Sequence, residues 1–407
     1  MSHAEGPGKR SRAWRILALL LVLAVIATVA LVVVLDRAQP DEPDAFYDPP
    51  TSLPDEPPGT ILRQEVIDGY QPGATTYRVL YLSTGHDGKP TAVSGLVLVP
   101  DGEAPAGGRE VLAYAHGTVG VAERCAPSLA QGDERPVFFE GGAEMLEAGY
   151  VIAATDYEGL GTPGPHPYLV GDVEGENVLD SVRAARNLAA ADAGARFAVW
   201  GHSQGGHASL FTGQLAASYA PELDLVGVAA GAPVPDLVDL FEVNVETKVG
   251  KILIAMALDS WARVYDAASL DQIVTRTARP VVRQIARNCI YNPTQILASV
   301  PGSLILDLTF LSAPPWEAEP WASIVGQNDP SRGRSAAPLL ITQGADDPIV
   351  DPSVTKAFVA EQCASGSDVE LSMLADTAHL DAGAKATPQV LEWIADRFAG
   401  RPTTPTC

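Results

Sequence analysis

Between residues 75 and 399 the chain alternates short β-rich runs with helical stretches, and this alternation restricts its folding more than any other feature. The runs are 75–83 (TTYRVLYLS), 91–99, 111–115, 150–155, 196–200, 224–230, 338–343 and 369–374. Helical patterning is predicted at about 138–148, 175–192, 205–219, 352–362 and 387–399. In the second of these, Val178, Val182, Ala185 and Ala189 recur on one face. A hairpin followed by repeated strand and helix predicts an α/β fold: a mostly parallel sheet of about eight strands, helices on its faces, and a site at the strand C-termini. No internal repeat interrupts the pattern.

One interval breaks the alternation. From about 233 to 330 the sequence is helical and loop-like without a strand run, an insertion of roughly a hundred residues between two strands. Its apolar residues Phe241, Ile252, Ile254, Met256, Trp261, Phe310, Leu311, Trp316 and Trp321 are expected to form a small core of their own. Insertions of this size are also where lids and binding pockets arise, and a helical lid with an apolar inner face is the functional expectation.

The first 58 residues follow a different logic. Lys9, Arg10, Arg12 and Arg15 against Glu5 alone give residues 1–15 a charge of +3, so the chain total of −23 leaves −26 for the remainder. Residues 16–35 carry no charge, and twenty apolar residues rising about 1.5 Å each span roughly the 30 Å hydrocarbon core of a bilayer. The basic flank precedes this run and Asp36, Asp41, Glu42 and Asp44 follow it, which predicts a cytoplasmic tail (1–15), a signal-anchor (16–35) and export of everything beyond. A cleaved signal is the alternative, and it would make the product secreted. Residues 36–58 are rich in proline and acid and read as an extended spacer. The catalytic domain is then expected at 59–407.

Acidity excludes a nucleic-acid binder held by phosphate contacts. The four cysteines, Cys125, Cys289, Cys363 and Cys407, lack any C-x-x-C spacing, so two disulfides in an oxidising compartment are expected rather than a metal site. Spacing alone leaves all three pairings open.

The chemistry centres on Gly201-His202-Ser203-Gln204-Gly205. The motif follows a strand and precedes a helix, the context of a strained turn that presents a nucleophilic serine. Flanking glycines suit a turn too crowded for Cβ atoms, and Gly206 reads as added slack. A serine needs a base and an acid, in this architecture in the order Ser, acid, His. Beyond Ser203 only His207 and His379 are available. His207 lies inside the following helix, which leaves His379 in the loop 376–380. The acid is expected in Gly344-Ala345-Asp346-Asp347-Pro348-Ile349-Val350: Asp347 first, Asp346 second. Oxyanion donors are expected from the backbone of Gln204 and of Gly117 or Thr118, in the turn that ends the strand at Ala115.

The segments AYAHGTVGVAERCAPS (113–128), ATDYEGLGTPGPHPYLVG (154–171) and VWGHSQGGHASLF (199–211), with QGADDPIV (343–350) and His379, resemble the secretory lipase family of α/β-hydrolases. The resemblance covers about 46–407. It implies a serine esterase or lipase acting on acylglycerols or related lipid esters, with a helical lid, no metal or organic cofactor, and the triad Ser203, Asp347 and His379. It also implies the pairings Cys125–Cys289 and Cys363–Cys407. An N-terminus able to stay in the membrane departs from a family of secreted members. A peptidase, an acyltransferase or an inactive surface binding module on the same fold are the competing readings.

Overall fold

A computed structural model describes residues 39–130, 140–291 and 293–407. The expected tail and anchor, 1–15 and 16–35, lie outside the described residues. Among the described residues no helix is long and apolar enough to cross a membrane.

Among the described residues nine strands form one sheet: β1 (Ile61–Ile67), β2 (Ala74–Thr84), β3 (Pro90–Pro100), β4 (Arg109–Ala115), β5 (Val151–Thr155), β6 (Ala193–His202), β7 (Asp224–Gly231), β8 (Leu339–Gly344) and β9 (Val369–Leu374). Their order is β1-β2-β3-β5-β4-β6-β7-β8-β9. The first three pairings are antiparallel and the remaining five, from β5-β4 to β8-β9, are parallel. The eight predicted runs are all strands. The ninth, β1, has the sequence ILRQEVI and is a half-exposed edge, so it carries no apolar run to betray it.

Alternate residues of the central strands feed two cores. Val111, Ala113, Val151, Ala153, Phe197 and Val199 pack on one face. There they meet Val178 and Val182 of α2 (Gly171–Asn187), Ala208 and Leu210 of α3 (Gln204–Tyr219), and Phe358 of α10 (Pro352–Ala364). Leu112, Tyr114, Ile152, Ala154, Ala198 and Trp200 pack on the other. Their partners are Met145 of α1 (Gly142–Glu147) and Val390, Trp393 and Ile394 of α11 (His379–Phe398). The period of two in the strands and of 3.6 in the helices produces this three-layer arrangement.

Two local expectations change. Helix α11 begins at His379 rather than near 387, because Pro388 lies inside it and small residues fill its first turns, which mutes the apolar period there. Among its described residues, 39–58, the proline-rich stretch has no helix or strand, yet it lies on the domain. Phe46 and Tyr47 are buried, and Gln39 accepts the Cys289 N–H at 2.7 Å.

The interval between β7 and β8 holds α4 (Leu237–Asn244), α5 (Lys248–Val264), α6 (Leu270–Ile273), α7 (Arg279–Ile285), α8 (Pro293–Leu306) and α9 (Trp321–Gln327). Its apolar residues do cluster, but not alone. Tyr168, Leu169, Val170, Val173 and Val350 of the body share that core, so the insertion is packed down onto the sheet's C-terminal end. Disulfides join Cys125 to Cys289 and Cys363 to Cys407, the first tying the β4 side of the body to the insertion.

Candidate active site

The tight turn between β6 and α3 sets the site. Ser203 has φ 58° and ψ −119°, a left-handed conformation that costs a non-glycine residue about 1–3 kcal/mol and persists only where packing imposes it. The glycines explain how. A Cβ on Gly205 would overlap the Ala115 carbonyl, and one on Gly201 would overlap the backbone of Gly205. Gly206 is not slack: its Cα faces Pro233, and a Cβ there would sit 2.8 Å from the Pro233 Cα. Close approach of β4, the turn and the start of the insertion therefore demands all three. The Ser203 N–H donates to the Gly231 carbonyl at 2.9 Å and fixes the turn to β7.

Three of the predicted residues meet. Ser203 Oγ lies 2.9 Å from His379 Nε2, and His379 Nδ1 lies 2.8 Å from Asp347 Oδ2. Asp347 Oδ1 accepts the backbone N–H groups of Ile349 and Val350 at 2.8 and 2.9 Å, and Gln343 Nε2 donates to Oδ2 at 3.0 Å. Thr355 holds Gln343 in turn through a 2.7 Å bond to its Oε1. Burial alone would raise the Asp347 pKa, but the bond and charge of His379 and the two backbone donors outweigh it, and the carboxyl titrates below its ordinary value. Asp346 is exposed, and the hydrogen bond and ion pair of His379 Nδ1 go to Asp347 instead; the Asp346 N–H donates to the Thr377 carbonyl.

Two of the expected oxyanion donors, Gly117 and Gln204, flank Ser203. The backbone of Gly117 runs beside the elbow, so that a Cβ there would lie 3.9 Å from Ser203 Cβ. Gln204 is the first residue of α3, where N–H groups have no intrahelical partner. The Thr118 hydroxyl is bonded to Tyr168 OH at 2.9 Å.

His207 turns away from Ser203, as its place in the helix predicts. Its Nδ1 bonds Glu174 Oε2 and its Nε2 the Asn328 carbonyl, both at 2.8 Å. Glu174 also accepts Gln204 Nε2 at 2.8 Å and the Leu169 N–H at 2.9 Å. This buried network joins the elbow helix to the insertion, and sequence reasoning missed it. So it did Tyr168, whose backbone is held by Ser260 Oγ and Trp261 Nε1 of α5. Tyr168 belongs to the segment 154–171 and Glu174 follows it, and the family resemblance of that segment was the one signal pointing there.

Beside Ser203 lies a narrow cleft lined by Tyr168, Leu169, Phe241, Leu253, Ile254 and Val350 among others. Apart from Ser203, Tyr168 and Asn244 its walls are apolar or glycine. Among the described residues no cluster of His, Cys, Asp and Glu is disposed to hold a metal ion.

A mostly parallel sheet with a serine on the strand-turn-helix elbow, facing a histidine held by a carboxylate, is the α/β-hydrolase class. Within that class the chain belongs to the secretory lipase family, whose model matches residues 143–406. It is 28% identical over 382 residues to a Mycobacterium tuberculosis protein described as a "probable inactive lipase", covering 89% of this chain and 83% of that one. It is 27% identical over 399 residues to lipase A of Arthroderma benhamiae, covering 91% and 82%. Among solved structures, Candida antarctica lipase A in its closed state superposes with a TM-score of 0.75 at 21% identity, covering 89% of this chain and 87% of that one. A rice cell wall degrading esterase of Xanthomonas oryzae superposes with a TM-score of 0.68 at 20% identity, covering 84% and 98%.

Proposed function

We propose that this protein is an exported serine carboxylic ester hydrolase, a lipase or esterase that cleaves acylglycerols or related lipid esters through an acyl-enzyme. The observation that carries the reading is the unbroken chain Ser203 Oγ, His379 Nε2, His379 Nδ1 and Asp347 Oδ2, with bonds of 2.9 and 2.8 Å, beside an apolar cleft. Ser203 attacks the ester carbonyl while His379 takes its proton. Asp347, held ionised, orients the ring and balances the imidazolium. Backbone N–H groups of Gln204 and of Gly117 or Thr118 receive the oxyanion, and His379 then protonates the leaving alcohol. Water repeats the cycle on the acyl-enzyme.

Lipid esters are favoured as substrates by the insertion, which acts as a lid and lines the cleft with Phe241, Leu253 and Ile254. Val243, Val249 and Leu380 are exposed and adjoin in sequence Asn244 and Gly250 of the cleft and His379, which supports an apolar rim suited to a lipid surface. With an exported portion at −26, such contact is by apolar area rather than by attraction to anionic headgroups.

The inactive reading is favoured by one relative's description, and a fluorophosphonate probe decides it. The wild type labels and hydrolyses p-nitrophenyl esters, and Ser203→Ala abolishes both. An unlabelled wild type would instead mark a binding module. The rate profile across acyl chain lengths then separates lipase from esterase.

A further inference from the structure

One carboxylate joins the parts that surround Ser203. Glu174 lies in the first turn of α2, enclosed at 1% exposure, where a helix N-terminus favours an anion. Its Oε1 accepts the Gln204 amide at 2.8 Å and the Leu169 N–H at 2.9 Å. Leu169 is a wall of the cleft and has a left-handed backbone, φ 54°, which surrounding contacts such as this one must hold in place. Oε2 meets Nδ1 of His207, whose Nε2 faces the Asn328 carbonyl. Each nitrogen of that ring faces an acceptor, so the His207–Glu174 pair holds one proton more than a neutral imidazole beside a carboxylate, and the buried charge is compensated.

The Gln204 side chain is pinned from two sides. Burial pushes His166 down to about 3, so its ring is neutral. His166 Nδ1 donates to the Glu158 carbonyl at 2.9 Å, which leaves Nε2 to accept the second amide hydrogen of Gln204 at 3.3 Å. Both hydrogens of the Gln204 amide are thereby used, while its Oε1 is buried without a hydrogen-bond partner among the described residues. An unpaired buried carbonyl is a cost, and the fold bears it to keep the amide turned toward Glu174 and His166. Gln204 is the residue after Ser203 and the first of α3, so anchoring its side chain fixes the exit of the elbow.

We infer that Glu174 is a positioning residue for the oxyanion hole of the proposed reaction: with one oxygen it ties the residue after the nucleophile to the wall of the cleft, and so fixes where the Gln204 N–H meets the ester. This rests on the reading of Gln204 as an oxyanion donor. Glu174 does not line the cleft, so it acts through Gln204. Its loss is therefore felt where the carbonyl oxygen becomes charged, in the transition state, rather than in ground-state binding.

The experiment compares wild type, Glu174→Gln and Gln204→Leu as full-length proteins on a soluble p-nitrophenyl ester, with active sites counted by exhaustive fluorophosphonate titration. Glu174→Gln turns one acceptor oxygen into a donor facing donors, and Gln204→Leu removes the amide while keeping the backbone N–H. For both variants we expect kcat per titrated site to fall about 10- to 100-fold, as for a misplaced oxyanion donor, with KM within about twofold. The matching thionoester, whose sulfur is a weak acceptor, should be slowed far less, so the oxygen-to-sulfur rate ratio drops in both. A merely structural role would reduce the number of titratable sites and leave kcat per site and this ratio at wild-type values, which overturns the inference. A Gln204→Leu variant with wild-type kcat per site also overturns it, and this arm decides if Glu174→Gln fails to fold. A wild type that neither labels nor cleaves esters sinks the proposed function and this inference together, whereas an active wild type with unaffected variants sinks the inference alone.

Discussion

Asp346 and Asp347 are neighbours in sequence with opposite environments. Asp347 is enclosed by four donors, whereas Asp346 points to solvent. Asp347→Asn is expected to lower kcat by about 10³- to 10⁴-fold, since an amide cannot hold the imidazole in the right tautomer or balance its charge. Asp346→Asn should leave kcat within about threefold, as surface changes usually do. Steady-state kinetics on a soluble p-nitrophenyl ester check both, and the reverse order would assign the acid to Asp346. The sequence narrowed the acid to these two positions. Telling them apart took the backbone of Ile349 and Val350, which folds back onto one carboxylate only.

The elbow owes its geometry to the elements around it. Gly205 is packed against the last residue of β4, and its substitution by Ala forces a Cβ into the Ala115 carbonyl. Relief requires α3 to separate from the sheet, so Gly205→Ala should cost about 3 kcal/mol or more and suppress fluorophosphonate labelling of Ser203. Denaturant unfolding and probe labelling measure the two effects. Unchanged stability with full labelling would show that the helix can shift freely. The same closeness makes Gly206 a packing residue rather than a hinge, which a glycine-rich string does not reveal. Helix α11 carries the complementary lesson. His379 was located by elimination, but its place as the first residue of a helix, with its ring packed at a tilt against that of His202, is set by how α11 docks on the sheet.

Across the whole molecule the disulfides close loops of very different span. Cys125 and Cys289 are 164 residues apart and Cys363 and Cys407 are 44 apart. Loop-closure entropy alone would make these worth about 5 and about 4 kcal/mol. Cys125→Ser with Cys289→Ser should therefore lower the denaturant midpoint more than Cys363→Ser with Cys407→Ser. The second pair should chiefly release the C-terminal tail, whose Thr406 N–H donates to Val369 at 2.8 Å and covers the edge strand β9. Hydrogen exchange at 403–407 and at β9 reports that release. Equal midpoints for both double variants and wild type would rule out a stabilising role.

Periodicity alone determined the layered sheet and all but its polar edge strand, because a buried strand must be apolar and a covering helix must repeat every 3.6 residues. The order of a single serine, an acid pair and one remaining histidine likewise reduced the triad to a choice of carboxylates. Disulfide pairing from spacing, the burial of Phe46 and Tyr47, the Glu174 network and the contact of the His202 and His379 rings were decided only by the tertiary structure. They depend on distances between residues tens to hundreds of positions apart, and a linear pattern records which side chains are present but not which of them the fold brings within 4 Å.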